Sequence, residues 1–199
     1  MRPHPLIRSR EFAVSLTVHP LTPDRWADFE RLFGPSGASG GCWCMWFRLR
    51  RKESDRNSGK QNKQAMRELV DSGVPPGLLC DIDGEPAGWV SLGPREDFTH
   101  LEHSRTLKRV DDRPVWSIVC FVIGQQFRRQ GLMTRLLDAA TDYARQHGAT
   151  TVEAYPVEAG ARLGGYDGYT GIASAFRRAG FVEVARASER QLIMRRELE

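Results

Sequence analysis

Residues 115–148, VWSIVCFVIGQQFRRQGLMTRLLDAATDYARQHG, contain two elements joined by a basic turn. The first part, Val115 to Ile123, is an apolar run rich in β-branched residues, which is typical of a buried strand. Beyond the turn, apolar residues recur at the spacing of an amphipathic helix, namely Leu132, Leu136, Leu137, Ala140 and Tyr143. Gly148 follows as a C-terminal capping residue. The segment therefore predicts a strand, a turn and a helix.

The turn between these elements has the composition of an anion-binding site. The first turn of a helix has backbone N–H groups without intrahelical partners, and the helix dipole adds partial positive charge there. Gly131 lets the backbone approach a phosphate closely, while Arg128, Arg129 and Arg135 can add charge-assisted contacts. The alternative is an ordinary connection with solvated arginines, and spacing alone leaves both interpretations open.

The same turn carries a resemblance to a known family. Arg128-x-x-Gly131-x-Met133 resembles the acetyl-CoA signature of the GNAT superfamily of N-acetyltransferases, Gln/Arg-x-x-Gly-x-Gly/Ala, from which Met133 departs. The segments Val152 to Tyr155 and Ser174 to Phe181 also stand where the superfamily has its next strand and its closing helix and strand. The resemblance covers the second half of the chain well, and the first half by the order of its elements.

The resemblance implies that acetyl-CoA is the acetyl donor and that it binds where two parallel strands splay apart. These strands would be Val115 to Ile123 and Thr150 to Tyr155. By match to the family, the backbone of Phe121, Val122 and Ile123 holds the pantetheine arm. The remaining cofactor-binding residues, at the pyrophosphate, would be Arg128, Arg129, Gln130, Gly131, Leu132, Met133 and Thr134.

Acetyl transfer to an amine also needs a base that removes the proton from nitrogen. Glu153 lies inside an otherwise apolar strand, where an unpaired carboxylate is costly unless it faces water or has a function. Several GNAT enzymes have a glutamate base at the matching place, so the resemblance makes Glu153 the predicted base. The alternative is a carboxylate on the solvent face paired with an arginine, and Glu158 is a second choice of base.

The general acid is less well defined by the resemblance. The superfamily usually has a tyrosine in its last helix, but this chain has Phe176 there, and phenylalanine cannot donate a proton. We predict that Tyr169, from the glycine-rich segment 158–171, takes this role, with Tyr166 as an alternative. Two other interpretations stay open: the thiolate leaves unassisted, or Tyr169 packs on the cofactor.

The other predicted elements complete a mixed α/β fold. A first strand is predicted over Phe12 to Val18, helices over 23–33 and 59–72, and a hairpin over 78–92 that turns at Asp83-Gly84. A short helical turn around Leu101 to Leu107, a helix over 172–178 and an antiparallel pair over 181–196 follow. This order predicts a mixed, mostly antiparallel sheet with helices on both faces, as in the GNAT fold.

Length and composition favour one globular domain. The 199 residues, 40% hydrophobic and 27% charged, suit a single domain over 13–199 after a loose arm over 1–12. No long apolar segment follows the N-terminal arginines, so neither a secretion signal nor a membrane span is expected. The chain has four cysteines, and two of them lie in strand-like runs, where reduced thiols are common. We therefore expect a cytoplasmic protein.

The net charge of +4 favours an anionic partner. A cofactor with three phosphates and a nucleic acid both satisfy that preference. The arginines are dispersed along the chain, however, and no nucleic-acid-binding motif is present. We therefore expect no nucleic acid and no membrane as partner; a homodimer is one oligomeric state that the sequence leaves open.

Residues 40–47, GGCWCMWF, combine two cysteines with three aromatic residues. They are either the wall of an acceptor pocket or a hydrophobic plug between helices, and the arginines that follow predict a solvated face. Cys42 and Cys44 could bind zinc together with His100 and His103, but C-x-C is tighter than the usual spacing, so no metal is expected. Cys120 is interpreted as a core thiol, the alternative being an acyl-accepting nucleophile.

Taken together, these features predict an acetyl-CoA-dependent N-acetyltransferase. The acetyl group would pass directly to a primary amine of a small molecule or peptide, whose identity the sequence does not define. A degenerate GNAT domain that binds CoA without catalysis is the first alternative, because of Met133 and Phe176. A basic nucleic-acid-binding module is the second.

Overall fold

The computed structural model describes residues 15–158 and 168–199. In these ranges seven strands form one sheet in the order β1-β2-β3-β4-β5-β7-β6. The strands are β1 (Leu16–Pro20), β2 (Gly77–Ile82), β3 (Glu85–Pro94), β4 (Trp116–Ile123), β5 (Thr151–Ala154), β6 (Val182–Arg186) and β7 (Leu192–Glu197). The helices are α1 (Trp26–Phe33), α2 (Arg51–Arg56), α3 (Lys60–Asp71), α4 (Thr99–Glu102), α5 (Leu132–Gln146) and α6 (Ala173–Arg178).

The predicted fold class is confirmed. Among the described strands only β4 and β5 run parallel, and helices cover both faces of the sheet. The first strand, predicted over Phe12 to Val18, is described over Leu16–Pro20, and residues 12–14 lie outside the described residues. The helical turn predicted around Leu101 to Leu107 is a short helix over Thr99–Glu102. The predicted N-terminal arm over 1–12 lies outside the described residues, as does Tyr166, and the extent of the domain stays a prediction. No helix in the described ranges has both the length and the apolar character needed to cross a membrane.

The hairpin between β2 and β3 follows from its two turn residues. Asp83 and Gly84 have φ values of 51° and 81°. Two successive left-handed residues are what a type I′ turn requires, and this turn matches the twist of the paired strands. The Asp-Gly prediction is therefore confirmed at the level of the backbone.

The parallel pair β4 and β5 separates after three residue pairs. Trp116, Ser117 and Ile118 pair with 152–154, and β5 ends there while β4 continues to Ile123. On its other side, β4 contains a bulge, because Ser91 pairs with Cys120 and Leu92 with Ile118, which leaves Val119 unpaired. A bulge bends the strand and increases its twist. The outer half of β4 thus diverges from β5.

Two hydrophobic clusters hold the sheet between its helices. One contains the buried face of α5 and α6 with the inward residues of the central strands. The other contains α1, α3 and the segment 43–47, where Trp43 stacks on Phe33 at 5.7 Å between ring centroids. The hydrophobic-plug interpretation therefore describes most of this segment. Arg48, predicted on a solvated face, is instead buried: it donates to the Pro76 carbonyl at 3.0 Å and lies over the Phe98 ring.

Candidate active site

The turn before α5 is open and lined by backbone. After a short 3-10 turn over 125–127, Arg129 and Gly131 adopt left-handed φ values of 63° and 76°, and α5 begins at Leu132. Left-handed residues in such a turn direct neighbouring N–H groups into a concave nest, next to the unpaired N–H groups of the helix start. Apart from Gly131 and its immediate neighbours in the chain, no heavy atom of the described residues lies within 4 Å of the place where a Cβ of Gly131 would stand. The turn can therefore accept a diphosphate.

The polar side chains of the turn leave that space free. The Nε–H group of Arg128 donates to the Ile123 carbonyl at 3.2 Å, and the Gln130 amide donates to the Gln126 carbonyl at 2.9 Å. Arg129 is exposed, as is Arg135 one turn into the helix. Both guanidinium groups are therefore accessible to an anion in the turn.

Met133, which departs from the family signature, does not fill the turn. Its side chain is partly buried and packs against the hydrophobic cluster beneath α5, beside the fully packed Leu132. The large side chain is therefore accommodated by the core and not by the anion site.

The outer half of β4 contacts Tyr169, which lies in the described part of the glycine-rich segment 158–171. The N–H group of Phe121 donates to the Tyr169 carbonyl at 2.6 Å. Phe121 turns its ring to the core, where it meets Phe176 edge-on at 6.1 Å, while Val122 and Ile123 are partly buried. The main chain at Tyr169 thus uses the N–H group of Phe121, one of the groups predicted to hold pantetheine.

Glu153 is fully buried and has three polar partners. Its carboxylate accepts hydrogen bonds from Arg95 Nη1 at 2.9 Å, Arg195 Nε at 2.8 Å and the Tyr155 hydroxyl at 2.7 Å. The carboxylate is paired with arginines, as the alternative interpretation expected, but it does not lie on a solvent face. Its role as general base stays a prediction, and accepting a proton would require one of these donors to move.

The network around Glu153 joins β4, β5, β7 and the long segment before β4. Ser117 and Tyr155 share a hydrogen bond of 2.9 Å between their hydroxyls, and Arg95 also donates to the Leu107 carbonyl at 2.7 Å. Arg195 pairs with Asp111 at 2.7 Å. Burial, and then the charge of Glu153, raise the pKa of the Tyr155 hydroxyl far above its ordinary value. Tyr155 therefore keeps its proton and acts as a donor.

Sequence reasoning missed Arg95, Tyr155 and Arg195. One signal was available for Tyr155, because residues two apart on a strand share a face and Glu153 is two residues away. Arg195 is the cross-strand neighbour of Glu153 in the register of β5 and β7. That register depends on the tertiary pairing.

An aromatic patch lies beside the divergence of β4 and β5. We call Trp46, Phe47, His100 and Tyr169 the aromatic patch: the Tyr169 ring lies 6.5 Å from Trp46 and 6.3 Å from Phe47, between ring centroids. Tyr169 is 37% exposed, but partial desolvation of its hydroxyl, followed by the nearby Cys120 thiol, raises its pKa. Burial, followed by the charge of Arg51, lowers the pKa of His100, so its imidazole is neutral at pH 7. Phe176, by contrast, is buried within the core.

His100 is a proton acceptor that sequence reasoning considered only as a metal ligand. Its ring lies 5.2 Å from Phe47 and 6.3 Å from Trp46, between ring centroids. The other histidine of that pair, His103, instead contacts Arg50 and the Thr99 carbonyl. Within 15–158 and 168–199, no three His, Cys, Asp or Glu side chains are grouped so that they could hold a metal.

Comparison with known proteins supports the GNAT family. The family model described as the acetyltransferase (GNAT) family matches residues 43–162. A search of curated proteins found no match.

Similar folds occur among solved structures. A GNAT-family acetyltransferase of Listeria monocytogenes aligns with a TM-score of 0.56 and 12% identity, covering 92% of this chain and 95% of that one. PaiA N-acetyltransferase of Thermoplasma acidophilum, in complex with coenzyme A, gives 0.54 and 11%, covering 92% and 99%. The yncA protein of Salmonella typhimurium, with its cofactor acetyl-CoA, gives 0.54 and 17%, covering 92% and 94%. At such identities these likenesses concern the fold.

Proposed function

Because the chain belongs to the GNAT acetyltransferase family, we propose that it is an acetyl-CoA-dependent N-acetyltransferase, which passes the acetyl group directly to a primary amine of a small molecule or peptide. One observation carries this proposal: the outer half of β4 diverges from β5 next to the open, left-handed turn at Gly131. An extended chain that ends in a diphosphate matches a strand edge followed by a row of N–H groups.

We propose that the backbone from Arg129 to Thr134 holds the diphosphate and that the edge of β4 from Phe121 to Ile123 holds the pantetheine arm. Two of the structures similar to this chain contain coenzyme A or acetyl-CoA, which supports this choice of donor. In this assignment the N–H group of Phe121 gives up its hydrogen bond to the Tyr169 carbonyl and donates to the bound cofactor instead.

Acetyl-CoA, when bound, supplies an activated thioester. The protein must take a proton from the attacking amine and return one to the leaving sulfur. We assign the acid to Tyr169, whose raised pKa keeps its hydroxyl protonated and whose backbone already contacts β4. We keep Glu153 as the proposed base. The neutral His100 of the aromatic patch is the second candidate, because its ring is half-buried and has no ion pair to break within 15–158 and 168–199.

Thermal unfolding tests the proposed cofactor. A ligand at about 100 times its Kd that binds only the native state adds about 2.7 kcal/mol, which raises Tm by about 5–10 °C for a chain of this length. We expect acetyl-CoA and CoA to produce this rise. A duplex DNA titrated at low and high salt is the control, and a salt-dependent stabilisation by DNA without an effect of CoA would favour the nucleic-acid-binding alternative.

A second assay separates an enzyme from a degenerate CoA-binding domain. Acetyl-CoA is incubated with a panel of primary amines and peptides, while free thiol and acetylated products are measured together by absorbance and mass spectrometry. We expect thiol release that depends on an amine and is matched by an acetylated product. Stabilisation by CoA with no product across the panel would favour the degenerate domain.

Two finer assignments belong with this proposal. We propose a cytoplasmic location, which is supported by the four cysteines all being free thiols. Self-association as a homodimer stays a prediction, which light scattering on the purified protein tests.

A further inference from the structure

Three of the four cysteines lie in one cluster beside the candidate active site. The thiol of Cys44 donates to the sulfur of Cys120 across 3.3 Å, although the two residues are 76 positions apart. Both are buried, at 2% and 5% exposure, while Cys42 is partly exposed. Cys120 lies on β4 directly before Phe121. We call Cys42, Cys44 and Cys120 the thiol cluster.

The backbone that presents these thiols is unusual. Trp43 and Cys44 have φ values of 44° and 55°, so two successive residues other than glycine adopt the left-handed region. Such conformations persist only where the surrounding structure holds them. Here Trp43 stacks on Phe33, and the indole N–H group of Trp89 donates to the Cys44 sulfur at 2.9 Å. Core packing thus fixes Cys44 against Cys120.

The partly exposed Cys42 and the buried Cys44 differ in thiol reactivity. The Cys42 thiol lies next to Cys44, which lowers its pKa to about 7 against the effect of burial, and the Cys42 sulfur contacts the Gly37 carbonyl at 3.7 Å. Burial, followed by its two thiol neighbours, raises the pKa of Cys44 well above its ordinary value. The thiolate is the nucleophile in thiol chemistry. The accessible member of the cluster is therefore also the reactive one.

We propose that the thiol cluster is an oxidation site: a hydroperoxide reacts first at Cys42, and the oxidation ends as a disulfide between Cys44 and Cys120. The buried pair needs little movement to join, since a sulfur contact of 3.3 Å closes to a bond of about 2.05 Å by small side-chain shifts. Cys42 supplies the route by which an oxidant outside the protein reaches that pair.

The steps balance in atoms and electrons. The Cys42 thiolate attacks one peroxide oxygen, the O–O bond breaks, and water or an alcohol leaves after taking a proton, which yields a sulfenic acid. The Cys44 thiol loses its proton and attacks the Cys42 sulfur, and water leaves. Cys120 then attacks the Cys44 sulfur, and the Cys42 thiolate is released. Two thiols are oxidised to one disulfide while one hydroperoxide is reduced.

Peptide mapping tests the site on the full chain without any assay of acetyl transfer. The protein is treated with hydrogen peroxide, its remaining thiols are alkylated, and a tryptic digest is analysed by mass spectrometry. We expect the peptide that contains Cys42 and Cys44 to be joined to the peptide that contains Cys120, and the link to disappear on reduction. Burial raises the pKa of Cys80 to about 11, so its thiol should escape oxidation and be found alkylated in the same sample.

Substitutions assign the role of each thiol. Cys44→Ser keeps an acceptor for the Trp89 indole and should abolish the link, as should Cys120→Ser; their melting curves report whether each variant is folded. Cys42→Ser should form the same link at least about tenfold more slowly, because the reactive thiolate is missing. Cys80→Ser is the matched control and should link at the parent rate.

Two results would overturn the proposal. In one, Cys42 gains two or more oxygen atoms while Cys44 and Cys120 both remain alkylatable. In the other, Cys42→Ser links as fast as the parent, which would remove Cys42 as the entry point.

A consequence for the enzyme rests on the proposed function. A disulfide ties Cys44 to Cys120 on β4, directly before Phe121 and next to Trp46 and Tyr169, so we expect oxidised protein to bind acetyl-CoA more weakly than reduced protein. Equal affinity of the two forms would refute this consequence. If neither form binds acetyl-CoA while the link still forms, the proposed function fails and the oxidation site stands.

Discussion

At the scale of single residues, Gly131 illustrates how a backbone requirement and a ligand requirement coincide. Its left-handed φ disfavours any side chain, and the space where a Cβ would lie is empty. Gly148, at the other end of α5, has the same two properties, with φ of 82°. The two glycines differ only in that one faces the proposed diphosphate site.

This symmetry gives a matched pair of variants. Gly131→Ala and Gly148→Ala should each lower the free energy of unfolding by about 1 kcal/mol, because alanine is strained at a left-handed position. Only Gly131→Ala should also weaken acetyl-CoA binding, by about tenfold (~1.4 kcal/mol), because its methyl group stands where the phosphate approaches. Calorimetric titration measures the affinity and urea unfolding the stability. Equal affinity of the two variants for acetyl-CoA would show that the turn does not bind the diphosphate.

Glu153 separates a catalytic role from a structural one. If Glu153 is the base, the substitution Glu153→Gln should lower turnover while acetyl-CoA binding stays nearly intact. The same change leaves two buried arginines facing a neutral partner, which should cost about 3–5 kcal/mol of stability. Turnover per folded molecule, from kinetics and urea unfolding on the same samples, distinguishes these effects.

The control for this variant is Glu183→Gln, because Glu158 is itself the alternative base. Glu183 is exposed and pairs with Arg186, so its loss should change neither turnover nor stability appreciably. Parent turnover in folded Glu153→Gln would dismiss Glu153 as the base, and His100→Gln would then be the next variant to test.

At the scale of elements, the segment from Arg95 to Arg113 is attached to the sheet by charged groups at both ends. Arg95 binds Glu153 in β5, and Asp111 binds Arg195 in β7. This segment leads directly into β4 and carries His100 of the aromatic patch. The charged contacts therefore position one wall of the candidate site.

Acid unfolding tests the contact at Asp111. The hydrogen bond from Arg195 lowers the pKa of the Asp111 carboxyl well below its ordinary value of 3.8. Its contribution to stability is therefore complete above the unfolded value and is lost as pH falls from about 4 through the folded value. Asp111→Asn should reduce stability at pH 7 and flatten the decline between pH 5 and pH 3.

The control is Asp112→Asn, at the exposed neighbouring position. Urea unfolding at pH 7, 5 and 3 measures both variants against the parent. An unchanged acid slope in Asp111→Asn would show that the pair with Arg195 does not contribute to stability.

At the scale of the whole molecule, the two faces of the sheet serve different purposes. The face under α5 and α6 is a continuous apolar cluster behind the turn that we propose binds the diphosphate. The opposite face carries the thiol cluster and the aromatic patch beside the outer half of β4. The bulge at Val119 interrupts the alternation of side chains along β4. As a result Val119 and Cys120, although adjacent in sequence, both lie in the second cluster.

Local sequence patterns predicted most of the elements and their order, although α2 (Arg51–Arg56) was not predicted. Apolar periodicity, the Asp83-Gly84 turn and the glycine that begins α5 are local properties, so they could be interpreted without knowledge of the fold. The strand, turn and helix over 115–148 and the parallel partner of β4 were predicted in this way, together with the family resemblance.

The surroundings of the chemical groups, by contrast, follow from contacts between residues far apart in the sequence. Glu153 is surrounded by Arg95 and Arg195, which are 58 and 42 positions away, and Cys44 meets Cys120 across 76 positions. Such contacts depend on strand register and on how loops cross the sheet, and no local pattern encodes either. The burial of a carboxylate and the meeting of two thiols are consequences of long-range packing.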